Sequence, residues 1–177
     1  MKGDRLMYDI LIKNDNSVVV NGWQGLLIMQ HSSMIDKLRI LVKKSYNEEY
    51  QDMSEFTAVM EYLLPRTKKY KMEVLERQEE PMVSDSGATP EVVDKYEDYY
   101  KYTIPINSEL TAEAGDVEIQ FTFAKKGTDN YGGDGEDIIR KTGKAKITIT
   151  PITEWADIRN DVFQKELDDI ITPIPSI

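Results

Sequence analysis

The sharpest chemical motif in this sequence is a segment rich in glycine and acidic residues. Residues 132–139 read Gly-Gly-Asp-Gly-Glu-Asp-Ile-Ile and match one unit of the calcium-binding nonapeptide repeat. That repeat binds calcium only where neighbouring copies stack and share ligands, and the chain holds a single copy. The segment 129–137 does not fit an EF-hand loop either, because Tyr131 stands at a ligand position. We therefore interpret residues 127–137 as an acidic hairpin loop and predict no metal and no other cofactor.

The residues that nucleophilic or acid–base catalysis needs are not grouped in a recognisable way. The single histidine, His31, precedes two serines and has Asp36 nearby. Neighbours this close along a strand or turn face different ways, whereas a catalytic triad is assembled from distant segments. Acid pairs such as Glu79-Glu80 lie among other charges, without the apolar surroundings that raise a carboxyl pKa. The absence of cysteine excludes thiolate catalysis. We expect a protein that is not an enzyme.

The charge balance restricts the classes of partner that the protein can be expected to bind. The 177 residues include 22 Lys+Arg and 32 Asp+Glu, which gives a net charge of −10. Such a field repels the phosphate backbone of nucleic acid and offers an anionic membrane no attraction. The N-terminus lacks the apolar core of a signal peptide, and no apolar run reaches membrane-spanning length. We predict no nucleic-acid partner, no membrane partner and synthesis in a cytoplasm.

The elements that must position any site are strands. From Asp116 to Ala124, apolar and polar residues alternate without interruption, which is typical of a strand with one buried face. Residues 145–149 repeat this pattern, so the two runs are predicted to be arms of a hairpin, with the glycine-rich loop at its tip. Gly115, at the start of the first arm, is predicted to adopt a positive φ.

Further strands are predicted at 7–13, 17–20, 23–30, 38–42, 56–64, 70–74 and 99–104. Asn14-Asp15-Asn16 and Asn21-Gly22 are predicted as turns. Arg66-Thr67 is predicted to connect residues 56–64 to their partner strand, 70–74. Short strands joined by short turns favour an all-β, mainly antiparallel sandwich of about eight strands, with Greek-key or jelly-roll-like connections. We assign this sandwich domain to residues 1–151.

After Pro151 the apolar spacing changes from two to three, which predicts a short C-terminal helix and then an extended Pro-rich tail in residues 152–177. Its apolar stripe supplies candidate assembly contacts: Trp155, Ile158, Phe163, Leu167, Ile170 and Ile171. A second candidate surface is the tyrosine-rich strand, in which Tyr100 and Tyr102 could form a sugar-stacking or partner-binding face. Tyrosine is also ordinary strand material, and packing inside the sheet is the interpretation we favour.

Several segments in this order resemble the N-terminal domains of virion structural proteins from tailed phages of Gram-positive hosts, the upper baseplate protein family. They are Tyr8-Asp9-Ile10, 52–57 (Asp-Met-Ser-Glu-Phe-Thr), 61–65 (Glu-Tyr-Leu-Leu-Pro), 102–106 (Tyr-Thr-Ile-Pro-Ile), 110–120, Arg140-Lys141-Thr142 and 147–151 (Ile-Thr-Ile-Thr-Pro). The resemblance spans about residues 7 to 158. It implies a non-catalytic β-sandwich that docks a fibre or adhesin onto the virion.

In that family a helix and a long trimeric fibre portion typically follow the domain, whereas this chain stops at Ile177. The difference favours a baseplate adaptor, a head-fibre base or a capsid decoration protein. Expected partners are other virion proteins (baseplate, fibre or capsid subunits) and further copies of the chain, as a trimer or a dimer. The expected location is the virion, after synthesis in the host cytoplasm. A carbohydrate-binding β-sandwich is the alternative.

Overall fold

The computed structural model describes residues 8–22, 27–47, 52–78, 98–127, 131–152 and 169–170. Within these ranges the chain forms eleven strands and one turn of 3-10 helix at Met53–Glu55, which confirms the predicted all-β class. The strands are β1 (Tyr8–Ile12), β2 (Val18–Gly22), β3 (Ile28–Met29), β4 (Lys37–Lys43), β5 (Thr57–Leu63), β6 (Tyr70–Val74), β7 (Glu76–Arg77), β8 (Tyr99–Pro105), β9 (Gly115–Lys125), β10 (Ile138–Lys141) and β11 (Ala145–Thr150). No helix in these ranges is long and apolar enough to cross a membrane.

The strands form two sheets that pack face to face. The first sheet has the order β2-β1-β4-β8-β7, and the second has the order β3-β11-β9-β5-β6, with β10 also pairing with β9. Most neighbours are antiparallel, as predicted, but β1 pairs with β4 and β3 pairs with β11 in parallel. The sandwich also has more strands than the predicted eight. The additional strands β7 and β10 are too short for alternation to reveal them in the sequence.

The predicted hairpin arms do pair. β9 and β11 are antiparallel, with Ala145 opposite Ile119 and Ile147 opposite Val117. The four apolar residues of β9 are buried, while the polar residues between them are on the outer face. The other half of β9 pairs with β10, so both strands that follow the glycine-rich loop return along β9. Gly115 has the predicted positive φ, at 120°.

The core lies between the two sheets and contains side chains from both. The ring edge of Tyr102 in the first sheet meets the ring of Phe123 in the second, with centroids 6.4 Å apart and planes at 63°. Ile10, Ile40 and Tyr62 are at most 2% exposed in the same cluster. Burial of large apolar side chains from both layers is the main favourable term that holds such a sandwich together.

The first hairpin differs from its prediction at one end. The turn at residues 14–16 is present, and Asn16 adopts a φ of 70° there. Asn21 and Gly22 do not form a turn; they extend β2, with Tyr8 opposite Gly22. An Asn-Gly pair tolerates a positive φ but does not require it. The backbone pairing of Asn21 and Gly22 with β1 therefore decides their conformation. Of the strand predicted at 23–30, residues 28–29 form β3, residues 27 and 30 are not in a strand, and residues 23–26 lie outside the described ranges.

The predicted C-terminal segment is largely outside the described residues. Trp155, Ile158, Phe163, Leu167 and Ile171 fall in the ranges 153–168 and 171–177, which the structure does not describe. Asp169 and Ile170 have helical backbone, and the Ile170 side chain is 76% exposed. The predicted assembly contacts of this segment therefore stay predictions.

Candidate functional site

The most distinctive surface of the described chain is one end of the second sheet, formed by β6. β6 is the last strand in the order β3-β11-β9-β5-β6, and its one neighbour among the described strands is β5. The β5–β6 hairpin through residues 64–69 matches the prediction. We call Tyr70–Val74 the β6 edge.

The register with β5 fixes which backbone groups of the β6 edge are turned outward. Leu64 N donates to Lys69 O at 3.0 Å, and Leu75 N donates to Ala58 O at 2.9 Å. In an antiparallel ladder every second residue bonds to the same neighbour, so Lys71 and Glu73 also direct their N–H and C=O groups towards β5. Tyr70, Met72 and Val74 therefore direct theirs away from the sheet.

On β6 the apolar side chains face outward and the polar side chains face inward, which is the reverse of the arrangement on β9. Tyr70, Met72 and Val74 are 58%, 58% and 65% exposed on the outer face, across from Leu63 and Val59 of β5. The polar residues take the inner side, where the loop after β8 supplies polar partners. Lys71 Nζ lies 3.2 Å from Glu109 Oε1, and Asn107 Nδ2 donates to Glu73 Oε1 at 2.6 Å. The β6 edge thus has three exposed, largely apolar side chains on its outer face. On its inner face it has two charged side chains that are held by polar partners.

Tyr70 is held in place by a carboxylate of the adjacent strand. Its hydroxyl donates to Oε1 of Glu61 at 2.8 Å. Oε2 of Glu61 accepts from Thr122 Oγ1 at 2.6 Å and lies 3.5 Å from Lys141 Nζ. The hydrogen bond from Thr122, assisted by the one from Tyr70, lowers the pKa of Glu61. The outer side of the hairpin is therefore held by contacts within the chain itself.

The turn that leads into β6 is held by a second carboxylate. Oε1 of Glu113 accepts from the backbone N–H groups of Arg66 and Thr67 at 2.7 and 2.9 Å, and Thr67 Oγ1 donates to Oε2 at 2.5 Å. The hydrogen bond from the Thr67 hydroxyl is the largest cause of a lowered pKa of Glu113. These contacts fix the position at which the β6 edge begins.

The predicted tyrosine surface is wrong for Tyr102, which is 2% exposed in the core. Tyr100, Tyr102 and Ile104 share one side of β8 because residues two apart face the same way, and that side is the inner one. Tyr100, at the end of the strand, is half-buried; its hydroxyl donates to Asp52 at 3.0 Å, and Arg77 lies 4.7 Å from its ring centroid. The two tyrosines do not form a shared sugar-stacking face.

The glycine-rich loop projects from the end of β9 as predicted. Tyr131 is 96% exposed, and Gly132 has a φ of 83°. Gly135 N donates to Gly127 O at 3.1 Å across the base of the loop. In the described part of the chain, no group of three or more His, Asp or Glu side chains is placed to hold a metal ion.

His31 occupies a turn, as interpreted from the sequence. Its φ is 70°, its side chain is exposed, and its backbone N–H donates to Thr111 O at 3.0 Å. The Thr111 hydroxyl in turn donates to the carbonyl of Ser32 at 2.6 Å. The contribution of this segment is thus to fasten the loop after β8 to the turn after β3.

The β6 edge was not identified from the sequence as a surface. The alternation of Tyr70, Met72 and Val74 with Lys71 and Glu73 predicts a strand with two unlike faces, but it does not say which face meets the core. Position at the end of a sheet is a property of the strand order, which local alternation does not encode. The signal that the sequence did offer was the run from Tyr70 to Val74, in which Lys71 and Glu73, two charges of opposite sign, alternate with apolar residues.

Comparison with known proteins gives distant structural likeness only. No known family model and no curated protein matches the sequence. Among solved structures, the N-terminal domain of phage TP901-1 ORF48 is similar over 82% of this chain and 98% of that chain, with 12% identity and a TM-score of 0.40. At that identity and TM-score the likeness decides neither the family nor the function.

Proposed function

We propose that this chain is a non-enzymatic structural protein of a tailed-phage virion. It would act as a baseplate adaptor that docks a fibre or adhesin, or as a head-fibre or capsid decoration protein. The observation that carries the proposal is the ordered set of sequence segments that resemble the N-terminal domains of upper baseplate proteins. Its partners would be baseplate, fibre or capsid subunits and other copies of the same chain.

The placement of these segments in the fold supports the proposal. Residues 8–10 lie on β1, 61–63 on β5, 102–105 on β8, 115–120 on β9 and 147–150 on β11. They therefore belong to the framework of both sheets, and a resemblance distributed over a framework is more informative than one confined to a single loop. The β-sandwich that the resemblance implies is the architecture that the chain has.

The β6 edge adds a second, physical support. An assembly protein must present surfaces that remain unsatisfied until a neighbour covers them. The β6 edge presents backbone groups that pair with no other described strand, together with the exposed side chains of Tyr70, Met72 and Val74. Exposed edge strands of this kind are avoided in proteins that remain alone, because they recruit further strands.

The test is the location of the protein in particles. Tailed-phage particles produced from the genome that encodes the chain would be purified by density gradient, probed with an antibody against the chain, and imaged after immunogold labelling. We expect the chain to copurify with particles and the gold to lie at one defined position, either the baseplate or the head. An abundant chain in the lysate that is absent from purified particles would contradict the proposal.

A further inference from the structure

We propose that the β6 edge pairs with the β6 edge of a second copy, antiparallel and centred on Met72, so that two sandwiches share one continuous sheet. This inference deepens the assembly role by naming the occupant of the edge. It is a property of the purified chain, so it can be tested without any phage particle. Three independent features of the described residues carry it.

The first feature is the direction of the backbone groups. Tyr70, Met72 and Val74 turn their N–H and C=O groups to the open side, as the β5 register requires. In an antiparallel pair centred on Met72, Met72 is opposite its own copy and Tyr70 is opposite Val74 of the other chain. Each of these is a position at which both strands offer their backbone groups, so the ladder closes without a bulge.

The second feature is charge. In the same register Lys71 is opposite Glu73 of the other copy, and the twofold axis repeats the contact, which gives two opposite-charge cross-strand pairs. A shift by two residues in either direction would place Lys71 against Lys71 or Glu73 against Glu73. Charged side chains commonly protect an edge strand against pairing with a further strand. In this register, however, the facing charges of the two copies have opposite signs. Here the charges select one self-complementary register.

The third feature is the outer face. Directly opposed residues of an antiparallel pair lie on the same side of the sheet, so Tyr70, Met72 and Val74 of both copies would form one apolar row. Tyr70 is already fixed by its hydrogen bond to Glu61 at 2.8 Å, and Lys71 by its ion pair with Glu109 at 3.2 Å. Pre-ordered side chains lose less conformational entropy on association. A five-residue edge alone makes a small interface, so a weak, concentration-dependent dimer is expected in solution.

A crosslinking experiment tests the geometry. Because the chain has no cysteine, Met72→Cys introduces a single thiol that lies next to its own copy in the proposed dimer. Ile139→Cys is the matched control, since Ile139 is 57% exposed on β10 against 58% for Met72 on β6. With a short bis-maleimide we expect covalent dimers from Met72→Cys and few from Ile139→Cys. Equal yields from the two variants would overturn the proposal.

A charge-reversal experiment tests the register. Lys71→Glu alone places two acids opposite each other at both sites, and Glu73→Lys alone places two bases there. Sedimentation of the full chain should show dimerisation weakened about tenfold for each variant. An equimolar mixture should recover dimers, because each unlike pair restores two opposite-charge contacts. Glu109→Gln removes the intrachain partner of Lys71 but keeps both cross-strand charge pairs, so it should weaken dimerisation much less than either charge reversal.

Folding of the single variants is checked by circular dichroism before sedimentation. If either variant does not fold, amide hydrogen exchange of the unaltered chain replaces it: protection at Tyr70, Met72 and Val74 should rise with protein concentration, while protection elsewhere stays constant. Variants that fold but do not recover dimers on mixing, or edge amides whose exchange is independent of concentration, would overturn the inference. Such a failure would leave the immunogold result, and therefore the virion proposal, unaffected.

Discussion

Arg39 and Asp9 form a two-pronged ion pair between the parallel strands β4 and β1. Nε of Arg39 donates to Oδ1 of Asp9 at 2.8 Å, and Nη2 donates to Oδ2 at 3.0 Å. The two residues are directly in register, and their side chains are 0% and 2% exposed. They alternate with Ile10 and Ile40, which face the core between the sheets. A buried ion pair therefore fixes the register of the parallel strands on the side away from that core.

The first prediction follows from this pair. Asp9→Ala leaves the guanidinium of Arg39 buried without its counter-charge, and we expect a loss of about 3–5 kcal/mol in the free energy of unfolding. The double variant Asp9→Leu with Arg39→Met removes both charges and should be much closer to the unaltered chain. Urea unfolding of Asp9→Leu, Arg39→Met and the double variant measures this cycle. Additive losses would contradict a coupled pair.

Tyr62 supports the prediction of a substitution that raises the stability of the fold. Its side chain is 2% exposed, burial raises the pKa of its hydroxyl, and that hydroxyl has no hydrogen-bond partner among the residues that the structure describes. Removing an unsatisfied buried hydroxyl avoids its desolvation cost, so Tyr62→Phe should stabilise the fold by about 1 kcal/mol. Tyr46→Phe is the control, because its hydroxyl accepts from Asn16 Nδ2 at 3.1 Å and its loss should cost stability. Thermal unfolding of both variants provides the comparison.

Glu113 should contribute to stability in acid. Its hydrogen bonds at the β5–β6 turn lower its folded pKa below the ordinary value of 4.5. A lowered folded pKa stabilises the folded state at pH values above 4.5, and this stabilisation is lost as the pH falls below 4.5 and through the folded pKa. Glu113→Gln should therefore lower the urea midpoint at neutral pH and flatten its fall in acid. Glu109→Gln, at an exposed carboxylate, serves as control; an unchanged acid profile in Glu113→Gln would contradict the assignment.

Position 127, at the base of the glycine-rich loop, requires glycine because there is no space for a side chain. A Cβ atom at this position would lie 1.8 Å from the carbonyl oxygen of Glu136, and backbone cannot move aside as a flexible side chain can. Gly127→Ala should cost about 1–3 kcal/mol of stability or displace the loop. At Gly143 the nearest atom would be Asn16 O at 3.5 Å, an ordinary contact. Gly143→Ala is therefore the matched control, and equal midpoints for the two variants in urea would refute the prediction.

The sequence by itself determined the strands whose two faces differ chemically. The alternation in β9 predicted both its extent and its buried residues, because a strand with one wet face must repeat every second residue. The β9–β11 pairing, the β5–β6 hairpin and the positive φ of Gly115 followed from the same kind of local pattern. His31 lies in a turn, as predicted, and the described residues of the glycine-rich loop lie between β9 and β10.

The tertiary structure alone decided which strands lie at an edge and which face of a strand is inside. Tyr102 was a candidate for a surface face and lies in the core, whereas Tyr70, Met72 and Val74 are exposed although their pattern resembles that of buried strands. Alternation shows that a strand has two different faces, but it does not show which of them is buried. That depends on which elements pack above and below the strand. The parallel pairing of β1 with β4, and with it the Asp9–Arg39 contact, likewise depends on strand order, which is set by long-range packing and not by any local run of residues.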